Sequence, residues 1–352
     1  MSRMLEEIRQ QPDALAKTLQ EGVATLRELR RHFAANRPRL VILVARGTSD
    51  NAAQFGRYLI EITTHIPVSL AAPSVLTLYA SPVDLRDTLV VGISQSGEST
   101  DTNAVLADAR SRGATTLGIT NDAHSTMAEI SAFTLLVRAG NEESVAATKT
   151  YTCQLLVLYL LAYALDGDVS LDALRVIPHW MADVLEFEER IGEIAERYMF
   201  MTRAMTVGRG LNYANAQEFG LKLMETCYVV TQRFSSADLM HGPIALIEPA
   251  FPVFVFAPAG VTWQSISSVL DMLEELKAET LLITDEGNSD ACVKPARLIR
   301  LPLPPPECAG SPDLYTPIPY IAPAQLFAAQ LAEIKGLNPD RPRMLHKITR
   351  TM

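Results

Sequence analysis

The stretch TLVVGISQSGESTDTNAVLADARSRG, residues 88 to 113, contains the succession of patterns that decides the fold. It opens with the apolar run TLVVGI, which has the length and composition of a buried strand. The run stops at Ser94-Gln95-Ser96-Gly97, and the helical segment DTNAVLADARSRG follows. A strand, a turn and a helix in this order predict one repeat of a parallel sheet covered by helices.

Strands and helices alternate on both sides of this stretch from about residue 39 onward. The first run also contains LVILVARG (40–47), NAAQFGRYLIEIT (51–63) and TTLGITN (115–121). A second run contains AMTVGRGLN (204–212), ANAQEFGLKLMETC (214–227), FPVFVFAPAG (251–260), SSVLDMLEELKA (267–278) and ETLLITDE (279–286). Both runs predict parallel sheets, and the Pro-rich stretch 301–320 is interpreted as a connection before the last helix.

The two runs are copies of one unit. Four pairs of positions match in order at an offset of 163 or 164: Arg46-Gly47 with Arg209-Gly210, Gln54 with Gln217, Gly97 with Gly260, and Thr120 with Thr284. We therefore predict an α/β fold of two tandem doubly wound parallel-sheet subdomains, three-layer α/β/α and flavodoxin-like. The predicted boundaries are a helical segment at 1–38, subdomains at 39–165 and 190–336, and a tail at 337–352 over the active site.

Composition excludes several classes of partner. The 352 residues are 48% hydrophobic, and a net charge of −9 gives no long-range attraction for nucleic acid or acidic lipid. The four cysteines are far apart and form no C-x-x-C pair, which favours reduced thiols in the cytoplasm. The N-terminus has no secretory signal, and the apolar segment 151–165 is too short for a membrane span and predicts a buried helix.

The turn at 94–97 differs between the copies in a way that points to a ligand. The first copy has Ser94-Gln95-Ser96-Gly97, whereas the second has Ala257-Pro258-Ala259-Gly260. The second copy keeps the glycine and has none of the hydrogen-bonding side chains. These side chains are therefore not needed to close the turn, and we expect them to hold a ligand.

A small phosphate ester is the ligand that fits. In an open α/β sheet, ligands bind beyond the carboxyl ends of the strands, where helix N-termini favour anions. The first copy has hydroxyl groups at two such strand ends, in Gly47-Thr48-Ser49 and in 94–99. Neither stretch is a P-loop or a G-x-G-x-x-G fingerprint, so a nucleotide is poorly supported. Ordinary helix capping is the alternative explanation for these hydroxyls.

Reactive side chains are concentrated in the second copy and the tail. Glu218, Lys222 and Glu225 are spaced i, i+4 and i+7 and share one helix face, although a solvated Glu–Lys ladder has the same spacing. His241 precedes Gly242-Pro243 in a predicted loop, where a histidine is more often structural or exposed. Lys347 lies in a Pro-containing tail, for which the alternative is a frayed terminus.

Six of these motifs resemble the sugar isomerase (SIS) domain family. They are GTS (47–49), SQSGES (94–99), VAATKTYT (145–152), EFGLKLMETCY (218–228), LMHGPIALIE (239–248) and DRPRMLHK (340–347). Within the family, the chain resembles the isomerase domain of glutamine–fructose-6-phosphate aminotransferase, also called glucosamine-6-phosphate synthase. The resemblance covers nearly the whole chain from about residue 20.

The resemblance implies a role for each matching residue. The phosphosugar-binding residues would be Thr48, Ser49, Ser94, Gln95, Ser96 and Ser99, with the backbone of Val145 closing the pocket. Ser99 stands where the family usually has threonine, which keeps the hydroxyl group. Glu225 would move a proton between C1 and C2, with Lys222 beside it. His241, contributed by the neighbouring subunit of a homodimer, would open the sugar ring, and Lys347 would form an imine with the open-chain ketose.

These residue types suit the chemistry. Ring opening needs a group that exchanges protons near neutral pH, as histidine does. Proton transfer between adjacent carbons needs one carboxylate that reaches both. A nucleophilic lysine must be partly desolvated, which a tail folded over the site could achieve. No His, Cys and carboxylate cluster has metal-ligand spacing, so we expect a reaction without metal or cofactor.

The resemblance also predicts which reaction is open to the chain. The family's synthase begins with a glutaminase domain that carries an N-terminal cysteine, whereas this sequence begins Met1-Ser2-Arg3 and its first cysteine is Cys153. We therefore expect deamination of glucosamine 6-phosphate to fructose 6-phosphate and ammonia, or the reverse reaction with free ammonia. Deglycation of a sugar–amine phosphate and aldose–ketose isomerisation remain alternatives. A non-catalytic phosphosugar sensor is the alternative of another class, but it would not need Glu225, His241 and Lys347 together.

Overall fold

The molecule, described here by a computed structural model for residues 2 to 345 and Lys347, divides into two units. Unit A comprises Asp13–Glu142, Lys149–Arg175 and the described part of Leu345–Met352. Unit B comprises the described part of Met1–Pro12, together with Glu143–Thr148 and Val176–Met344. The subdomain limits 39–165 and 190–336 stay a prediction.

Unit A is built on a five-stranded parallel sheet in the order β2-β1-β3-β4-β5. Its strands are β1 Leu40–Val44, β2 Val68–Leu70, β3 Thr88–Ile93, β4 Thr115–Thr120 and β5 Phe133–Leu136. The register pairs Val44 of β1 with Gly92 of β3 and Ile93 of β3 with Ile119 of β4. Strands β1 (LVILV) and β3 (TLVVGI) are nearly continuous apolar runs because helices cover both faces of the sheet.

Helices precede, connect and follow these strands. In chain order they are α1 Arg3–Arg9 and α2 Gln11–Ala35 before the sheet, then α3 Thr48–Thr64, α4 Ser74–Thr77, α5 Thr100–Ser111, α6 Thr126–Ile130, α7 Lys149–Ala164 and α8 Leu171–Leu185. Helix α1 belongs to unit B, and the division between the units passes through α8 at residue 175.

Each face of the unit A sheet has its own packing. On one face, Val90 of β3 packs with Leu106 of α5 and Met127 of α6. Helices α3 and α7 pack against each other at Gly56, where an added Cβ atom would lie 2.9 Å from a methyl group of Leu158. This close approach needs a residue without a side chain.

Unit B repeats the topology of unit A, in the order β10-β9-β8-β6-β7. Its strands are β6 Arg203–Gly208, β7 Val230–Ser235, β8 Pro252–Phe256, β9 Glu279–Asp285 and β10 Arg297–Leu301. Its further helices are α9 Glu188–Glu196, α10 Tyr213–Cys227, α11 Ser236–Met240, α12 Trp263–Glu275, α13 Ser289–Cys292, α14 Pro312–Tyr315 and α15 Pro317–Ile334. Short 3₁₀ turns lie at Gly210–Asn212, Pro243–Leu246 and Pro306–Cys308.

The core of unit B is aromatic on one face of its sheet. The rings of Phe219 in α10, Phe254 in β8 and Phe327 in α15 stack edge to face, with centroids 5.0 and 5.1 Å apart for successive pairs. The other face is aliphatic, with Val255 of β8 packed in one cluster with Val269 of α12. Each sheet is therefore buried between two layers of helices.

The predicted fold class is confirmed, because each unit has a parallel sheet with the doubly wound strand order and flanking helices. The repeat offset also locates the equivalent strands, since β1 begins at Leu40 and β6 at Arg203. The sequence patterns quoted above did not contain the edge strands β2, β5, β7 and β10. The stretch 301–320 is also more than a connection, because it contains α14 and the first turn of α15.

The apolar segment 151–165 lies almost wholly in α7, where nearly every side chain is buried. Within the described residues, no helix is both long enough and apolar enough to cross a membrane. All four cysteines are described, and each has a free thiol. Burial raises the pKa of Cys153 to about 12 and that of Cys227 to about 11.

Candidate active site

The predicted phosphate-binding residues of unit A lie at the topological switch point of its sheet. Strands β1 and β3 are neighbours, while the chain leaves them for opposite edges of the sheet. Helix α3 begins at Thr48, after β1, and α5 begins at Thr100, after β3. Two helix N-termini therefore follow adjacent strand ends, and both favour an anion there.

Backbone hydrogen bonds fix the turn at 94–99. The N–H of Gly97 donates to the carbonyl oxygen and to Oγ of Ser94, at 3.2 and 3.1 Å. Gly97 has a φ of +67°, and an added Cβ atom would lie 2.2 Å from Oγ of Ser125. Only glycine fits this position without a shift of its neighbours. The side chain of Asn103 in α5 also donates to the Gly97 carbonyl oxygen at 2.9 Å.

The six predicted phosphosugar-binding residues fall into two groups. Thr48, Gln95, Ser96 and Ser99 are partly exposed, whereas Ser49 and Ser94 are buried. Ser49 accepts a hydrogen bond from Nε2 of Gln154 at 3.0 Å, and Ser94 accepts the one from Gly97. The partly exposed residues are thus placed to meet a ligand, and the buried pair holds the local structure.

Arg46 and Asp101 form an ion pair at the same strand ends, which the sequence patterns did not reveal. Nη2 of Arg46 lies 2.6 Å from Oδ2 of Asp101, and the carboxylate is 9% exposed. Arg46 follows β1, and Asp101 lies in the first turn of α5. The sequence contained one signal, because Arg46 recurs as Arg209 in the second copy, where the position of Asp101 is taken by Gln264.

Lys347 also belongs to unit A, where its Nζ atom lies 3.1 Å from Oε2 of Glu142. The Glu142 side chain is fully buried, and that of Lys347 is 27% exposed. Within the predicted tail 337–352, His346 and residues 348–352 lie outside the described residues. Sequence reasoning missed Glu142, although it is only three residues before the VAATKTYT motif.

Unit B carries the cluster of Glu218, Lys222 and Glu225 on α10. Nζ of Lys222 lies 3.3 Å from Oε1 of Glu218 and 2.5 Å from Oε2 of Glu225. Glu218 and Lys222 are fully buried, and the Glu225 side chain is 22% exposed. The solvated ladder that the spacing also allowed is therefore not what the structure contains. The cluster is buried at Glu218 and reaches solvent at Glu225.

Opposing effects act on the pKa of Lys222. Burial alone lowers it, because it penalises the charged ammonium group. The negative charges of Glu218 and Glu225, and hydrogen bonds to both, outweigh burial and raise the pKa of Lys222 well above its ordinary value of 10.5. Lys222 therefore stays an ammonium group at neutral pH and holds Glu225 by a charge-assisted hydrogen bond.

His241 and Val145 are the other predicted site residues in unit B. His241 is exposed and directly follows α11, so the predicted loop contains a short helix before the histidine and a 3₁₀ turn after Gly242. The N–H of Val145 donates to the carbonyl oxygen of Asp340 at 3.4 Å. Beside it, the carboxylate of Glu7 accepts hydrogen bonds from the N–H groups of Glu143 and Ser144.

The unit B turn that corresponds to 94–99 is occupied by a carboxyl side chain of the same unit, that of Asp313. The side chain of Asp313 lies against this turn, and the nearby N–H of Val261 favours its carboxylate form. A Cβ atom added at Gly260 would lie 2.8 Å from Cγ of Asp313. Burial raises the pKa of Asp313 above its ordinary value of 3.8, in spite of hydrogen bonds from backbone N–H groups that lower it. The second copy therefore supplies its own acceptor at this turn.

The predicted site residues are thus divided between the units. Unit A has Thr48, Ser49, Ser94, Gln95, Ser96, Ser99 and Lys347, and unit B has Val145, Lys222, Glu225 and His241. Over the part of the chain that the structure describes, no three His, Cys, Asp or Glu side chains lie close enough to hold a metal ion. A reaction without metal or cofactor stays a prediction.

Comparisons with known proteins agree with the two-unit fold. A sequence model of the SIS domain matches residues 36–164 and 201–333. The glutamine–fructose-6-phosphate aminotransferase (isomerizing) of Pyrococcus horikoshii is 38% identical over 98% of this chain. This chain spans 57% of that relative's length.

Solved structures are similar over nearly the whole chain. The C-terminal domain of glucosamine-fructose-6-phosphate aminotransferase from Francisella tularensis has a TM-score of 0.87 at 26% identity, covering 97% of this chain and 98% of that one. A glucosamine-6-phosphate deaminase from Thermotoga maritima has a TM-score of 0.79 at 22% identity, covering 99% of this chain and all of that one, and it shows the shared fold alone. Two SIS matches and a relative above 30% identity over almost the whole chain lead to one conclusion: the chain belongs to the SIS domain family.

Proposed function

We propose that the chain converts glucosamine 6-phosphate to fructose 6-phosphate and ammonia, or catalyses the reverse reaction with free ammonia. The phosphate would bind to the hydroxyl-rich strand ends of unit A, and Glu225 would carry the proton between C1 and C2. The proposal is consistent with membership of the SIS family and with the names of the relatives, which act on hexose 6-phosphates.

The Glu218–Lys222–Glu225 cluster is the observation that carries the proposal. Burying a lysine between two carboxylates carries a large desolvation penalty, which is offset only if all three groups are paired. If α10 had a purely structural role, the same three side chains would be more stable on a solvent-exposed face. Here the polar face of α10 is buried, while Leu221 and Met224 are partly exposed. Glu225 combines a fixed position with 22% exposure, which is what a proton carrier needs to meet a substrate.

The phosphate-binding role rests on uncharged donors. Gln95, Ser96 and Ser99 are partly exposed between the end of β3 and the start of α5. A phosphate there would receive hydrogen bonds from hydroxyl and amide groups and would lie at the positive end of the helix dipole. Arg46 adds a positive charge nearby that Asp101 holds in place.

The remaining roles follow the family pattern. We infer that His241 exchanges protons with the ring oxygen during ring opening, from the neighbouring subunit of a homodimer. Its exposure in the single chain is compatible with contact to a second subunit. We also infer that Lys347 forms the imine with the open-chain ketose. The free thiols of all four cysteines are compatible with a cytoplasmic setting.

The proposal is tested by incubating the purified chain with glucosamine 6-phosphate and measuring ammonia and fructose 6-phosphate. Parallel reactions contain fructose 6-phosphate with ammonium, fructose 6-phosphate alone, and a fructosamine 6-phosphate. We expect release of ammonia and fructose 6-phosphate in equal amounts. If the chain turns over only fructose 6-phosphate or only the fructosamine 6-phosphate, the proposed reaction changes from deamination to isomerisation or to deglycation, respectively. Calorimetric binding of hexose phosphates with no turnover of any would overturn the enzyme proposal in favour of a sensor.

A further inference from the structure

We propose that Glu142 is the positioning residue for Lys347: its buried carboxylate docks the tail lysine and holds its amine in a fixed place. The inference deepens the proposed function and rests on it for the catalytic consequence. The docking itself is independent of that function, and the experiments below separate the two.

The surroundings of Glu142 explain why its carboxylate is fixed. It is fully buried and lies between β5 and α7. Its Oε1 atom accepts the N–H of Thr150 at 3.1 Å, and its Oε2 atom accepts the hydroxyl of Thr150 at 2.6 Å. Thr150 is in the first turn of α7, a 16-residue helix whose N-terminal end favours a negative charge. The carboxylate is therefore oriented before Lys347 contacts it.

Lys347 provides a positive charge to this carboxylate at hydrogen-bond distance. Its Nζ atom lies 3.1 Å from Oε2 of Glu142, the same oxygen that accepts the Thr150 hydroxyl. A buried carboxylate is stabilised by a charged partner within hydrogen-bond distance. The contact joins the buried carboxylate at the start of α7 to a residue near the end of the chain, and it therefore fixes where the lysine lies.

The geometry also connects Glu142 to imine formation. Only the neutral amine attacks a carbonyl group, so the Lys347 ammonium must first give up a proton, and the Glu142 carboxylate is within reach to accept it. The amine nitrogen then adds to C2 of the open-chain ketose, and loss of one water molecule leaves the carbon–nitrogen double bond. Glu142 thus acts on the reaction through Lys347.

Chemical labelling tests the docking directly. The folded chain is treated with a limiting amount of an amine-acetylating reagent, and acetylation of Lys347 is followed by mass spectrometry in wild type, Glu142→Gln and Glu129→Gln. Glu129 is an exposed glutamate of the same unit and provides the matched control. We expect Lys347 to react about tenfold faster in Glu142→Gln and at the wild-type rate in Glu129→Gln. Equal rates in all three proteins would overturn the docking.

A second pair of variants separates docking from stability. Thr150→Val removes a hydrogen bond to Glu142 but leaves the contact with Lys347. Glu142→Asp keeps the negative charge but shortens the side chain by one methylene group, which moves the carboxylate away from Lys347. If Glu142 docks Lys347, acetylation of Lys347 stays slow in Thr150→Val and becomes faster in Glu142→Asp. The Glu142→Asp variant also replaces Glu142→Gln in this test if Glu142→Gln does not fold. Faster labelling in Thr150→Val to the level of Glu142→Gln would reduce Glu142 to a structural residue.

Turnover and imine trapping test the catalytic consequence. Borohydride reduction in the presence of fructose 6-phosphate should attach the sugar to Lys347 of the wild type, and the yield should fall strongly in Glu142→Gln. The value of kcat should fall about 100-fold in Glu142→Gln, with KM changed less than about threefold. Wild-type trapping with unchanged trapping in Glu142→Gln would overturn the inference alone. Absence of any wild-type turnover would overturn the proposed function, and labelling would still decide the docking.

Discussion

Lys222 lies between two carboxylates on α10 and is itself fully buried, so its charge balances the charges of both neighbours. Replacement by methionine removes the cation and leaves the buried Glu218 without it. We expect Lys222→Met to lose about 3–5 kcal/mol of unfolding free energy at pH 7, as measured by urea denaturation. Lys17→Met, at an exposed position, is the control and should change stability little.

The same residue predicts a pH dependence. The pKa of Lys222 is raised in the folded chain, so its contribution to stability is complete below the unfolded value of about 10.5 and is lost only as pH rises through the higher folded value. The stability difference between wild type and Lys222→Met should therefore stay constant from about pH 7 to 10. A difference that disappears already near pH 9 would contradict the assignment.

Glu225 is the residue whose chemistry can be tested without loss of its shape. Glu225→Gln keeps the size of the side chain and removes the proton acceptor, so we expect turnover to fall at least about 1000-fold while affinity for the phosphosugar changes little. Glu275→Gln, on the exposed part of α12, is the control. Kinetics and calorimetry on the same samples give both quantities. An active Glu225→Gln variant would exclude Glu225 as the proton carrier.

For individual residues, the sequence predicted where the charged side chains of α10 lie on the helix but not that they are buried. The spacing of Glu218, Lys222 and Glu225 placed them correctly on one helix face. It could not distinguish a solvated face from a buried one, because burial depends on the elements packed against α10, such as α15. Glu142 was missed for a related reason, since its ion-pair partner Lys347 is far away along the chain.

The turn between β3 and α5 depends on one glycine. Gly97 and Gly113 both have positive φ angles, of +67° and +83°, but an added Cβ atom would be crowded only at Gly97. Gly113→Ala should lower the unfolding free energy by about 1 kcal/mol, because alanine disfavours the left-handed backbone conformation. Gly97→Ala should lower it by at least about 1 kcal/mol more, because Ser125 must also move. Urea denaturation of both variants measures the difference. Equal losses would show that the turn accommodates a methyl group.

At the scale of elements, the sequence predicted the central strands and missed the edge strands. The central strands are largely buried because both faces of each sheet are covered, and their apolar residues reveal them in the sequence. By contrast, β2 has only three residues, and β7 contains exposed and partly exposed polar residues. The prolines near residue 317 predict irregular structure. Pro317 is instead the first residue of α15, where its missing N–H has no intrahelical partner to lose.

The whole assembly is tested by mixing subunits. If His241 acts on the site of the neighbouring subunit, a heterodimer of Glu225→Gln and His241→Ala chains has one site with both defects and one intact site. Unfolding and refolding an equal mixture should then restore about a quarter of wild-type activity, because half of the dimers are mixed and half of their sites are intact. If His241 acts within its own subunit, every site is defective and no activity returns.

The side chain of Asp313 at the unit B turn has a consequence for how many phosphosugar molecules one chain would bind. Asp313 is part of the chain and always present at this turn, so a phosphate ester would have to displace its side chain from Gly260 to bind there. Under the proposed function, only the turn of unit A is then open to the phosphosugar. We expect a titration with hexose phosphate to saturate hyperbolically at a stoichiometry of one per chain, and a value of two would mean that Asp313 yields its place.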